Sequence, residues 1–323
     1  MFLENNPYQD IRGFNYWPSY AMVLDDVMDR FCPETVEREL EGARRLGANC
    51  VRVWVSNVSW QRDADRFLKD FAALLRIADG KGISVMPALF NRWVDTDYPV
   101  GVTDLTTVLC PLSGANRDYL RSFVGAFRDD PRILMWDICN EPFFYFPLQL
   151  GEDVLREMKR AEISYWLECI EAIRELKPVR PLTIGFAGAA DRELLPLYRA
   201  LDVISFHPYS SYWDDGFAKL TDEFIALANE CGKPLLCSET CQGSLDDGTR
   251  AEIIRLTLDP LTERKIGWIA WHLCEGKIVT GNRERTDGNC RPGERGYMPF
   301  LAADGSIRPH HEIVLKYTGG AGN

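Results

Sequence analysis

A chain of 323 residues with 46% hydrophobic and 26% charged side chains has enough apolar material to bury a large core. Its formal charge of −11, from 37 Lys and Arg against 48 Asp and Glu, argues against a polyanion or an anionic surface as the main partner, so neither nucleic acid nor membrane is expected. No apolar run reaches the roughly 18 residues that span a bilayer, and the opening MFLENNPYQD has neither a basic n-region nor an apolar h-region, which makes a cytoplasmic protein the expectation.

Along the chain, the first strand-like run is Arg12 to Tyr16. Pro33 suits the first position of a helix over Glu34 to Leu46, and Gly47 suits its C-cap. A second strand, Cys50 to Val55, is followed by a helix over Asp65 to Lys81 that puts Phe67, Phe71, Leu74, Leu75 and Ile77 mostly on one face. Strands three and four are Ser84 to Phe90 and Ile133 to Cys139. A helix over Gly151 to Leu176 then leads to strands Leu182 to Phe186 and Val203 to Phe206. Helix Asp214 to Cys231, strand Leu235 to Ser238, helix Thr249 to Glu263 and strand Gly267 to His272 complete the series.

This alternation predicts a parallel sheet covered by helices. The first turn, Gly13-Phe14-Asn15-Tyr16-Trp17-Pro18, lacks the glycine pattern of a phosphate-binding open sheet, so a closed (β/α)8 TIM barrel is the expected fold. No linker or low-complexity tract divides residues 1–323, which read as one domain. The longer loops, Asn91 to Gly114, Pro142 to Leu150 and Leu273 to Pro299, belong on the C-terminal face, where barrels build their sites.

Two apolar strands end on glutamates. Trp136-Asp137-Ile138-Cys139-Asn140-Glu141-Pro142 carries Glu141 to the barrel mouth, and Pro142 is expected to hold it in an extended conformation. Lys233-Pro234-Leu235-Leu236-Cys237-Ser238-Glu239-Thr240 does the same for Glu239, three strands further round. Either glutamate alone is as well read as a solvated loop residue. Together they match the pair that a retaining glycosidase holds about 5 to 5.5 Å apart, one protonated and one ionised. Arg52, inside Cys50-Val51-Arg52-Val53-Trp54, needs a buried acidic partner, and Asp137 reads as a structural carboxylate. Trp54 reads as packing.

With these motifs the chain resembles the clan of (β/α)8 retaining glycosidases that includes family 5, the cellulase and mannanase family, over roughly Ile11 to Tyr317. The resemblance implies that Glu141, in Asn140-Glu141-Pro142, is the acid/base and Glu239 the nucleophile. It also implies that Arg52 and Tyr209 hold Glu239, and that Asn140, His207 and Trp271 serve the sugar or its neighbours. Many members carry a histidine after the third strand; here the segment is Phe90-Asn91-Arg92-Trp93, so Asn91 or Trp93 is expected to take part of that role.

The expected substrate is a short β-linked oligosaccharide, with a lean to exo-cleavage of β-mannosides such as Man-β-1,4-GlcNAc or mannobiose. An endo-glucanase or endo-mannanase of the same family and an inert sugar-binding barrel are the alternatives. No cofactor or metal is expected: the ten cysteines form no CxxC pair and read as buried thiols, there are four histidines, and no strand ends on a lysine suited to Schiff-base chemistry.

Overall fold

The computed structural model describes residues 3, 5–93, 103–145, 150–209, 215–244, 246–277 and 298–319. Eight parallel strands close into a barrel: β1 (Arg12–Tyr16), β2 (Cys50–Trp54), β3 (Ser84–Asn91), β4 (Trp136–Asn140), β5 (Leu182–Ala187), β6 (Ile204–His207), β7 (Leu235–Cys237) and β8 (Gly267–Ala270). Closure comes from β1 pairing with β8, Phe14 opposite Ala270. β4 begins later than its apolar run suggests, because Ile133 makes only an isolated bridge to Val85.

The main helices outside are α1 (Pro33–Arg45), α2 (Ala64–Asp79), α3 (Gly114–Phe127), α4 (Glu152–Arg174), α5 (Leu195–Ala200), α6 (Gly216–Cys231), α7 (Asp247–Glu263) and the short α8 (Leu315–Thr318). Local chemistry sets several of their ends. Pro33 opens α1 and Gly47 follows it at φ +74°, a backbone that strains any residue with a Cβ. Asp63 caps α2 by accepting from Arg66 N at 3.0 Å, and Ser113 caps α3 by accepting from Asn116 N at 3.2 Å. α3 is the helix that the sequence pattern does not single out. Its first turn, Ala115-Asn116-Arg117-Asp118, is mostly polar and Gly125 interrupts it, yet Tyr119, Leu120, Phe123, Val124 and Phe127 are buried on one side. The Phe123 ring meets Phe71 of α2 edge-on at 4.7 Å and Trp136 of β4 at 5.6 Å, which locks both helices onto the barrel.

Side chains alternate along each strand, so residues two apart share the barrel interior. The lower interior is an apolar cluster of Cys50, Met86, Met135, Val203, Leu236 and Ile269. Two residues on from Cys50, Met135, Val203 and Leu236 stand Arg52, Asp137, Ser205 and Ser238, all buried. The barrel therefore changes from apolar to polar toward its C-terminal mouth, and that polar layer is the floor of the site. Among the described residues no helix is long and apolar enough to cross a membrane.

Candidate active site

Arg52 organises the floor. Its Nε donates to Asp137 Oδ2 at 2.8 Å, and one terminal nitrogen donates to Asn15 Oδ1 at 2.8 Å and Glu239 Oε2 at 3.1 Å. The other donates to Asn140 Oδ1 at 2.8 Å and lies 2.7 Å from Asp137 Oδ2. All five N–H groups of the fork thus have partners, on β1, on β4 and just after β7, which is how a fully buried guanidinium is tolerated. Asp137 completes its own set by accepting from Gly185 N at 3.1 Å.

The β4–β5 register shifts between Asp137 and Asn140. Strict alternation would turn Cys139 inward after Asp137; the irregularity turns Asn140 inward instead, onto Arg52, and leaves Cys139 in the outer core. Glu141 follows at φ +48°, with its N–H donating to Gly185 O at 2.9 Å. The extended conformation expected before Pro142 is therefore not the one adopted: the backbone turns left-handed, a strained choice for a glutamate that the barrel contacts impose. Glu162 of α4, fully buried, anchors the following loop by accepting from Phe143 N at 3.1 Å, Tyr145 Oη at 2.6 Å and Arg92 Nε at 3.3 Å.

Above the floor is a cavity of about 280 Å³, lined among others by Glu141, Glu239, His207, Tyr209, Trp54, Trp93 and Trp271. Glu141 and Glu239 are only 6% and 7% exposed, so both carboxyls are almost dehydrated yet reachable from the cavity. One oxygen of each, with a ring nitrogen of His207, lies within 4.8 Å of the others. Tyr209 donates its hydroxyl to Glu239 Oε1 at 3.0 Å. His207 Nδ1 is 2.8 Å from Glu141 Oε1.

Of the residues singled out in the sequence, Glu141, Glu239, His207, Tyr209, Trp93 and Trp271 line the cavity. Arg52, Asn140 and Asn91 lie beneath it. Asn91 is committed to the protein, accepting from Asn140 Nδ2 at 2.9 Å and from Trp93 N at 3.1 Å, so Trp93 rather than Asn91 faces a ligand. Asn140 keeps one Nδ2 hydrogen beyond its bonds to Asn91 and Arg52. Trp54, read as packing, both packs edge-on against Trp17 at 5.4 Å and forms a wall with Trp271, ring centroids 5.2 Å apart. Asn15, Gly185, Ser205, Ser238 and Gln242 were not singled out. The serines left a signal, since each stands two positions beyond an inward apolar residue, Val203 and Leu236. Gly185 left none: a Cβ there would lie 2.7 Å from His207 Nε2. Of the three long loops, residues 94–102, 146–149 and 278–297 lie outside the described residues.

Burial pushes the Glu141 carboxyl up to about 7, with Arg52 pulling against it. Burial also raises Glu239, opposed by His207, raised further by Glu141 and lowered by Arg52 and Tyr209. Two such close carboxyls do not ionise together, and the proton belongs on Glu141, because Glu239 alone takes hydrogen bonds from a guanidinium and a phenol. Burial drives His207 down to about 4, so it is neutral at pH 7. Glu141, His207 and Glu239 also have the geometry to hold a metal ion, but the Arg52 cation 3.1 Å from Glu239 works against one. Nine cysteines are described and all are free thiols.

The family model described as Cellulase (glycosyl hydrolase family 5) matches residues 14–277. A probable mannan endo-1,4-beta-mannosidase C of Aspergillus terreus is 25% identical over 146 residues, which are 39% of this chain; the match spans about a third, 34%, of that relative's length. Among solved structures, a Streptomyces cattleya GH5_18 variant in complex with Manb1-4GlcNAc aligns with TM-score 0.73 at 18% identity, over 95% of this chain and 79% of that one. An exo-beta-1,4-mannosidase, Op5Man5 from Opitutaceae bacterium strain TAV5, aligns with TM-score 0.69 at 18% identity, over 95% of this chain and 58% of that one. At these identities the solved structures share the fold.

Proposed function

The chain belongs to glycosyl hydrolase family 5, and from that premise we propose that it is a retaining β-glycosidase with Glu141 as acid/base and Glu239 as nucleophile, cleaving terminal sugars from short β-mannosides. The observation that carries the mechanism is the approach of the two carboxyls, oxygens within 4.8 Å. That spacing suits double displacement at about 5 to 5.5 Å, whereas inversion needs about 6.5 to 9.5 Å to admit a water.

In the first step an oxygen of Glu239 attacks the anomeric carbon while Glu141 passes its proton to the departing glycosidic oxygen. A glycosyl ester on Glu239 results. In the second step the Glu141 carboxylate takes a proton from water, whose oxygen attacks the same carbon and releases Glu239. Arg52 and Tyr209 keep the resting nucleophile ionised and aimed. Trp54 and Trp271 give the bound sugar an apolar wall.

The β-mannoside preference rests on the chemistry named for the neighbours: a Manb1-4GlcNAc complex, an exo-beta-1,4-mannosidase and a probable mannan endo-mannosidase. The exo mode is favoured by a cavity of about 280 Å³, near the small end of ligand pockets. The Aspergillus likeness favours an endo-mannanase as the second reading. The deciding experiment compares kcat/KM on Man-β-1,4-GlcNAc, mannobiose, cellobiose, mannan and soluble glucan, with the configuration of the first product followed by NMR. Retained configuration and faster cleavage of the mannosyl disaccharides are expected. An inverted first product would overturn the mechanism, and faster cleavage inside mannan would overturn the exo mode.

A further inference from the structure

Behind the acid/base lies a buried chain of hydrogen-bonding side chains that the proposed reaction does not itself require. His207 Nε2 lies 3.0 Å from Ser238 Oγ, and Ser238 Oγ bonds in turn to Ser205 Oγ. All three residues are fully buried. Ser205 and His207 are two positions apart on β6 and face the interior together, while Ser238 directly follows β7 and directly precedes Glu239. Through His207 Nδ1 the chain ends on Glu141 Oε1. Gly185 of β5 leaves the space in which the imidazole sits.

The hydrogens on such a chain run one of two ways. Toward Glu141, the Ser205 hydroxyl donates to Ser238, the Ser238 hydroxyl donates to Nε2, and Nδ1–H donates to Oε1; each donor has an acceptor. In the other direction Glu141 donates to Nδ1, Nε2–H to Ser238 and Ser238 to Ser205. The Ser205 hydrogen is then left in the barrel interior without an acceptor among the described residues, which is the costly arrangement. Glu141 Oε2 makes no hydrogen bond to the protein among the described residues, and Glu141 lines the cavity.

We propose that Ser238, backed by Ser205, is a positioning residue that fixes His207 as its Nδ1–H tautomer, so that Oε1 of Glu141 is held as an acceptor and the proton to be transferred rides on Oε2. The other charged or titratable groups facing this chain are Arg52 of β2, Asp137 of β4, Glu239 after β7 and Tyr209 after β6. His207 is neutral near pH 7, as a tautomer-specific role demands. The tautomer stands on the hydrogen-bond geometry alone; only its kinetic consequence rests on the acid/base role proposed for Glu141.

The chain has four histidines, so ring-15N-labelled protein at pH 7, assigned with His207→Asn, gives a readable spectrum. The expected result is a protonated Nδ1 and an unprotonated Nε2 for His207. Ser238→Ala should shift the ring toward the other tautomer, and Ser238→Thr, which keeps the hydroxyl, should restore it. In kinetics, Ser238→Ala should lose about tenfold on a glycoside with a poor leaving group and less than about twofold on a dinitrophenyl glycoside, because only the former needs an aimed proton. A proton on Nε2 of the parent protein overturns the proposal, and that spectrum decides it even if Ser238→Ala does not fold. Equal losses on both substrates would overturn it too, as the mark of a general structural defect. Absence of any glycosidase activity with the Nδ1–H tautomer present would count against the proposed function and leave the tautomer assignment standing.

Discussion

A terminal nitrogen of Arg52 lies 2.7 Å from Oδ2 of Asp137, and neither side chain is exposed at all. The pair joins β2 to β4 across the barrel floor and leaves the same guanidinium free to reach Glu239 and Asn140. Asp137 is thus the charge that makes a buried Arg52 tolerable, and Arg52 in turn holds the Glu239 carboxylate.

Asp137→Asn should therefore cost about 3 to 5 kcal/mol of stability, the range for removing one partner of a buried ion pair. The loss should appear as a lower urea midpoint with an unchanged slope. A loss below about 1 kcal/mol would mean that Glu239 alone balances Arg52.

Gly185→Ala should damage both packing and chemistry. The added methyl would stand 2.7 Å from His207 Nε2 and 3.1 Å from an Arg52 nitrogen, both on buried and fully bonded groups. Overpacking of this kind costs about 1 to 3 kcal/mol, and the displaced imidazole should lower kcat more than it raises KM. Parent-like kcat with parent-like melting would contradict the role given to this glycine.

The two glutamates should separate kinetically. Glu239→Ala should abolish turnover and regain activity with azide, while Glu141→Ala should keep more activity on substrates with activated leaving groups. On the proposed mechanism the reactive form carries the proton on Glu141, raised to about 7 by burial, so kcat/KM should fall as pH rises through about 7. Glu141→Gln should lack that alkaline limb. A limb that persists in Glu141→Gln would assign it to another group.

His311 offers a test of linkage away from the cavity. It is fully buried, its ring 5.7 Å from Phe300, and burial, with Arg250, Arg308 and His310 acting the same way, drives its imidazolium down to about 2. With a folded value below the ordinary 6.5, the unfolded chain binds the extra proton, so stability is lost as pH falls from about 6.5 toward 2. Between pH 7 and pH 5 this one group removes about 2 kcal/mol. His311→Gln should show a correspondingly smaller loss over that interval in urea titrations; identical losses would place the titration elsewhere.

The amino-acid sequence by itself determined the barrel and the two strand ends that carry its facing glutamates. Eight apolar runs alternating with amphipathic ones, and glutamates within two residues of the ends of the fourth and seventh strands, are local patterns: burial dictates which residue types recur, and a strand's end is marked by where the apolar run stops. Pro33, Gly47 and the caps are likewise written within a few residues of the turn they make. What only the tertiary structure decided is how those ends are aimed. The register shift that turns Asn140 inward, the left-handed backbone at Glu141, and the five donors of Arg52 shared among Asp137, Asn15, Glu239 and Asn140 all depend on neighbours far away in the chain. The same holds for Trp54, which periodicity marks only as buried and closure sets against Trp271, and for Ser238, which the pairing of two adjacent strands sets between Ser205 and the His207 imidazole. Sequence periodicity records which face of an element is buried. It carries no record of which partner from another strand meets that face, and barrel closure with its irregular registers is what selects the partner.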